Sequence, residues 1–299
     1  MPPKPEPVPV LRPARGLRVL VAPNPSPLTA EGTNTYILGD GAVAVIDPGP
    51  ASAAHLEAIL AALDAGERVS HILVTHSHLD HSPLARPLSR RTGAPVLAFG
   101  PSTAGRSARM ERLAAEGSLG GAEGVDSDFV PDIALADRSV VEGPGWRIEA
   151  IHTPGHLGNH LCLAWGEDLF SGDHVMGWST TLVSPPDGDM GAYMRSLDRL
   201  AARAPRRLWP GHGAPVANGT ARIRELIAHR RAREAAILGE LGRGPATAAE
   251  LAARLYRDTP PPLLGAATRN VLAHLLDLEE RSLILPGPGP RAAAAFHRR

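Results

Sequence analysis

Short apolar runs alternate with amphipathic stretches over the first 220 residues, the order of an α/β domain. The runs LRVLVA (17–22), TYILG (35–39), AVAVID (42–47), HILVT (71–75), PVLAF (95–99), RIEAIHT (147–153), HLCLAW (160–165) and RRLWP (206–210) predict strands. The Asp40–Gly41 pair between two of them predicts a hairpin turn. Leu56, Ile59, Leu60 and Leu63 recur at helical spacing after the Pro48–Gly49–Pro50 break, and a further helix is expected near 192–202. Residues 100–137 are glycine-rich and read as an irregular insertion, either a lid or a helix followed by a loop.

After Gly219 the pattern turns helical. Ile223, Leu226, Ile227, Ile237, Leu238 and Leu241 mark one long helix ended by Gly242, and Thr247 with Glu250 forms a capping box that opens a second. A third helix is expected over 266–281, followed by a β-like SLIL run. Three helices and a β-like tail predict a winged-helix module, so the chain divides into a domain at 1–219 and a smaller one at 220–299.

Composition adds limits. The 299 residues carry no formal net charge and a single cysteine, Cys162, so no disulfide forms within the chain; a reducing, cytoplasmic setting is expected. No run of apolar residues is long enough to span a bilayer, and the first twenty residues read as a proline-stiffened tail without a secretory core. From Arg222 onward 13 arginines face eight acidic residues. That asymmetry suits either solvated helix faces or contact with an anion such as RNA, with Arg230, Arg231, Arg233 and Arg269 the expected phosphate contacts.

The chemistry concentrates in THSHLDH, which places His76, His78, Asp80 and His81 directly after a strand. Two histidines at i and i+2 in extended chain share a side. Ser82 and Pro83 read as the N-cap and first residue of the next helix, which puts the cluster on a strand-to-helix loop. His156 in TPGH, Asp173 in SGD and His212 in PGHG each follow a later strand. Seven ligands from four loops suffice for two metal ions, and imidazole with carboxylate suits zinc, with manganese or iron compatible. Two close cations can share a hydroxide, which makes a side-chain nucleophile unnecessary, and Asp80 is the expected catalytic proton carrier. Asp47 is expected to support a ligand, and His160 either to do so or to pack. His55, His71, His229, His274 and His297 read as ordinary, Cys162 as a packing residue, and His174 as no ligand.

THSHLDH, TPGH, SGD and PGHG together resemble the metallo-β-lactamase superfamily. TNTYILGDGAVAVIDPG (33–49) and the tail from RIRELIAHRRAREAAIL to TRNVLAHLLDLEERSLI resemble its β-lactamase-like protein 2 family. The resemblance implies an αββα sandwich followed by a winged helix. It implies that His76, His78 and His156 hold one zinc, that Asp80, His81 and His212 hold the second, and that Asp173 bridges them. It also implies a single-stranded RNA endonuclease; a small-molecule thioester or ester hydrolase of glyoxalase II type is the alternative, with β-lactamase or lactonase activity behind both. The partners expected are accordingly single-stranded RNA or a hydrolysable small molecule, with no membrane; a module that does not meet RNA would instead serve as a pocket wall or a homodimer surface.

Overall fold

The computed structural model describes residues 9–121 and 124–299. Seven strands build the first sheet in sequence order: β1 (Leu11–Ala14), β2 (Leu17–Val21), β3 (Asn34–Leu38), β4 (Ala42–Ile46), β5 (Arg68–Leu73), β6 (Val96–Ala98) and β7 (Ile133–Ala134). The first four meander antiparallel and the rest run parallel. Helix α1 (Ala53–Ala61) makes the β4–β5 crossover and α2 (Ala85–Thr92) the β5–β6 crossover; α3 (Ala108–Ala115) lies before β7. The second sheet, β8 (Val140–Gly143), β9 (Trp146–His152), β10 (Leu161–Trp165), β11 (Asp168–Gly172) and β12 (Arg207–Pro210), is antiparallel except where β12 returns parallel to β11 through α4 (Met190–Arg203). Then follow α5 (Gly219–Leu241), α6 (Ala248–Leu255), α7 (Leu264–Glu280) and the ribbon β13 (Ile284–Pro286)–β14 (Phe296–Arg298).

Strand alternation explains the layering. In β3, Tyr36 and Leu38 face the second sheet, where they join Ile148, Phe170 and Trp209, while Ile37 faces α1 and α2 with Ile59 and Leu88. In β10, Leu161 and Leu163 point into the same inter-sheet core, whereas Cys162 and Ala164 meet Leu197 of α4 and Leu226 of α5. The chain thus forms the αββα sandwich and appended winged helix that the sequence implies. The capping box on α6 is present in both directions.

Three expectations change. The chain is already in the sheet at Leu11, where β1 pairs with β2, so the proline-stiffened tail ends earlier; residues 1–8 of it lie outside the described residues. The 100–137 segment takes the second of its two readings, a helix followed by a loop, and the lid reading falls: Met110 and Leu113 of α3, with Leu119, are buried in one core with Leu272 and Leu276 of α7. Ser82 does not cap α2, which begins at Ala85 without a side-chain cap; its hydroxyl instead donates to Asp126 Oδ2 at 2.8 Å, tying the histidine-rich loop to the 124–126 segment.

The two sheets are stitched together at the end that carries the histidines. Asn34 Nδ2 donates to Pro210 O and Gly213 O (3.0 and 2.9 Å), and the Tyr36 hydroxyl donates to Pro210 O at 2.6 Å. These bonds fix the loop after β12 against β3. The α5 helix belongs to two cores: Ile223, Leu226 and Ile227 pack on the second sheet, and Ile237 and Leu241 pack with Leu251 and Leu275 of the winged helix.

Candidate metal centre

All seven predicted ligands converge, from the loops after β5, β9, β11 and β12. One ligand atom from each of His76, His78, His156 and Asp173 lies within 4.8 Å of the others, and Asp80, His81 and His212 form a second such group. Asp173 reaches both, with oxygens 3.8 Å from His156 Nε2, 3.2 Å from His212 Nε2 and 3.5 Å from His81 Nε2. The approach is close enough to require glycine at 211, since a Cβ there would sit 2.3 Å from Asp173 Oδ1.

Outward hydrogen bonds fix the ring tautomers. His156 Nδ1 lies 2.6 Å from Leu182 O and His212 Nδ1 3.1 Å from Gly32 O; a carbonyl only accepts, so both Nδ1 atoms carry hydrogen and both Nε2 atoms face inward. His81 Nδ1 donates to Asp47 Oδ2 at 3.0 Å. Thr75 spends its hydroxyl hydrogen on Asp47 (2.7 Å), so its oxygen accepts from His76 Nδ1 at 3.0 Å. Asp47 therefore orients His81 directly and His76 through Thr75, the supporting part expected of it.

The inward nitrogens then face one another. His76 Nε2 and His156 Nε2 each lie 3.0 Å from His78 Nδ1. Burial, reinforced by neighbouring imidazoles, pulls His76 far down and His78 to about 3, and burial lowers His156 as well. Three neutral lone pairs converging in a buried space fit a cation. At the second group burial also opposes charge, but Asp80, Asp173 and Asp47 outweigh it and hold His81 well above the usual imidazole range; Asp173 and Asp80 carry His212 to about 9. Burial favours the neutral acids of Asp80 and Asp173, yet His81 and His212 keep both ionised. Alternating carboxylate and imidazole of this kind is what a divalent ion displaces protons from. The donor set fits two divalent metal ions.

The other histidines sort differently. His160 bonds no ligand: its Nδ1 meets Thr153 Oγ1 at 2.9 Å and its ring lies 5.1 Å from that of His76, so it packs. His55 is not ordinary. It is fully buried on α1, 2.9 Å from the Thr35 hydroxyl that donates to Asp47 O, and burial lowers it to about 4. His174, packed beside Tyr193, and His274 on α7 are buried, and neither ring nitrogen of either has a hydrogen-bond partner among the described residues. His71 sits edge-on to Trp146, while His229 and His297 are exposed.

A cavity of about 380 Å³ opens over the centre. His78, Asp80, His156 and His212 form its floor, and Leu28, Met176 and Leu182 meet Leu263, Ala266 and Ala267 of the C-terminal module across it. Three of the four arginines expected to meet phosphate are turned inward. Arg230 is 2% exposed, Arg233 donates to Leu255 O and lies over Tyr256, and Arg269 donates to Leu119 O and Pro185 O, the last two half-buried; Arg231 is fully on the surface.

Comparison with known proteins agrees with this architecture. The metallo-beta-lactamase superfamily pattern matches residues 28–212, and that of the beta-lactamase associated winged helix domain matches 247–285. The chain belongs to the metallo-beta-lactamase superfamily. It is thereby a metal-dependent hydrolase. Among its relatives, Beta-lactamase-like protein 2 homolog of Drosophila melanogaster is 33% identical over 269 residues, 86% of this chain and 85% of that protein. Atrochrysone carboxyl ACP thioesterase of Aspergillus fumigatus is 32% identical over 272 residues, 85% of this chain and 76% of that protein. A crystal structure of a metallo-beta-lactamase family protein from Thermus thermophilus superposes with a TM-score of 0.76 at 29% identity, covering 96% of this chain and 99% of that one. Among the described residues no helix is long and apolar enough to cross a membrane.

Proposed function

We propose that this chain is a binuclear zinc hydrolase of acyl thioesters whose acyl group lies in the cavity shared by the two domains. The observation that carries the reading is that cavity: an open cleft of about 380 Å³ directly over the His/Asp centre, with an apolar side built by Leu28, Met176, Leu182, Leu263, Ala266 and Ala267 and the C-terminal module as one wall. The inward arginines weigh in the same direction, because Arg230, Arg233 and Arg269 spend donors on the chain's own carbonyls rather than on a phosphate. A fungal relative carries the name of an acyl carrier protein thioesterase, in keeping with the same substrate class.

In this reading His76, His78 and His156 would hold one zinc and Asp80, His81 and His212 the other, with Asp173 within reach of both groups. The bound ions would supply Lewis acidity and bring the pKa of water from about 15.7 toward 7. The chain does the rest. Leu28, Met176, Leu182 and Leu263 offer the acyl group its apolar contacts. Asp80, with Oδ2 3.2 Å from His212 Nε2 and 3.4 Å from Thr33 Oγ1, stays ionised and faces the cavity, placed to take a proton and pass it to the departing thiolate. The buried, unpaired Cys162 is consistent with the cytoplasm.

The test is parallel turnover, by protein purified without chelator or added metal, of a panel of acyl thioesters and of labelled single-stranded RNA, with metal content measured on the same samples. Thioester hydrolysis with about two zinc ions per chain is expected. RNA cleavage without thioester turnover would overturn the substrate assignment, and iron or manganese in place of zinc would overturn the metal.

A further inference from the structure

The Thr181–Leu182–Val183 segment connects the metal centre to the C-terminal module. Leu182 O accepts the His156 Nδ1 hydrogen at 2.6 Å, so wherever that carbonyl goes the ring follows. The segment is gripped from both sides by residues outside the sandwich motifs. On one side Arg230 of α5 donates through Nη2 to Thr181 O. On the other, Val183 N donates to Asn270 Oδ1 of α7 at 3.1 Å, and Arg230 Nη1 donates to that same oxygen, also at 3.1 Å. The guanidinium carbon lies 5.2 Å from the Tyr193 ring centroid, and the Tyr193 hydroxyl donates to His174 O at 3.0 Å. Among the described residues no carboxylate pairs with Arg230, which is 2% exposed. An apolar side chain of similar length would fill this space without the cost of desolvating a cation. What it could not do is hold the Thr181 carbonyl and the Asn270 oxygen at once.

We infer that Arg230 and Asn270 are positioning residues for His156, setting its tautomer and ring angle through the Leu182 carbonyl. The C-terminal module therefore tunes the metal centre as well as walling the cavity. The inference rests on His156 being a metal ligand.

The experiment is stepwise zinc titration of the full chain against a chromophoric chelator, for the wild type, His156→Ala, Asn270→Leu, Asn270→Asp and Arg230→Met. His156→Ala identifies the binding step to which that ring contributes. Asn270→Leu is nearly isosteric but lacks the acceptor, and should weaken that same step by about tenfold or more, the usual effect of losing a group that orients a ligand. Asn270→Asp keeps the oxygen and should bind within about threefold of wild type. Arg230→Met should weaken the step in the same way; if it does not fold, the two Asn270 variants decide the matter. In 15N-histidine spectra the His156 Nδ1 hydrogen should be protected in the wild type and in Asn270→Asp, and exchange rapidly in Asn270→Leu. A purely structural role predicts a lower melting temperature with both zinc steps and the His156 signal unchanged, and that result would overturn the inference. If His156→Ala itself keeps both zinc steps intact, the ligand assignment fails instead, and the inference goes with it.

Discussion

If α7 walls an acyl cavity, the length of the acyl chain should be read by Leu263, Ala266 and Ala267. Each methylene moved from water into an apolar site gains about 0.8 kcal/mol, or about fourfold in kcat/KM, when the gain is realised in the transition state. A series of thioesters sharing one thiol should therefore rise about fourfold per carbon until the chamber of about 380 Å³ is full, and then level off or fall. Ala266 lines this chamber and is only partly buried, so a larger side chain there can enter the cavity without disturbing the helix core. Ala266→Phe should move the plateau toward shorter chains by about three carbons, which amounts to a loss of about 60-fold on the longest good substrate. Acetyl thioester turnover should stay within about twofold. The assay is initial-rate measurement of thiol release at saturating zinc. A flat series in the wild type, or an equal loss at every chain length in Ala266→Phe, would refute the cavity's part in recognition.

Asp47→Ala should weaken binding at both metal positions by about 10- to 100-fold, because it releases His81 directly and His76 through Thr75; chelator competition measures it, and loss at one position alone would contradict the shared support. Glu67 offers a pH signature far from the centre. Its side chain and that of Arg18 are 6% and 2% exposed and 2.6 Å apart, and although burial raises the carboxyl, Arg18 lowers it further. The folded value thus lies below the unfolded one, so the pair's stabilisation is complete above about pH 4.3 and lost as pH falls through the lower folded value. Glu67→Gln should destabilise the protein at pH 7 in denaturant unfolding and do so less in acid; an equal cost at both would deny the ion pair. Cys162 is fully buried, with burial pushing its thiol up to about 12, so the native protein should not react with a disulfide reagent at neutral pH, while the unfolded chain should give one thiol.

The ligands were legible because their signal is local. HxHxDH packs four of them into six residues, and each later ligand follows an apolar run that reads as a strand. Hairpin, capping box and long helix were legible for the same reason. What sequence missed depends on long-range partners. Ser82 has the right neighbours for a helix cap, but Asp126, 44 residues away, takes its hydroxyl. Arg230 was read as surface by residue type alone, although it continues the stripe of Ile223 and Ile227 at i+7 and i+3 and so falls on the buried face. His55 looked ordinary on its own helix; its meaning comes from Thr35, two strands earlier, and from the Asp47 carbonyl beyond it.

The long helix also governs how the protein comes apart. At 1.5 Å per residue, the 23 residues of α5 make a rod of about 35 Å with one end in each hydrophobic core. Neither core is whole without it: melting the winged helix frees the far end of a helix whose near end covers the second sheet, and α7 lends Ala273 to that same layer. Heat should therefore produce a single calorimetric transition rather than two, and a protease that nicks α5 should inactivate the sandwich even though every metal ligand lies upstream of the cut.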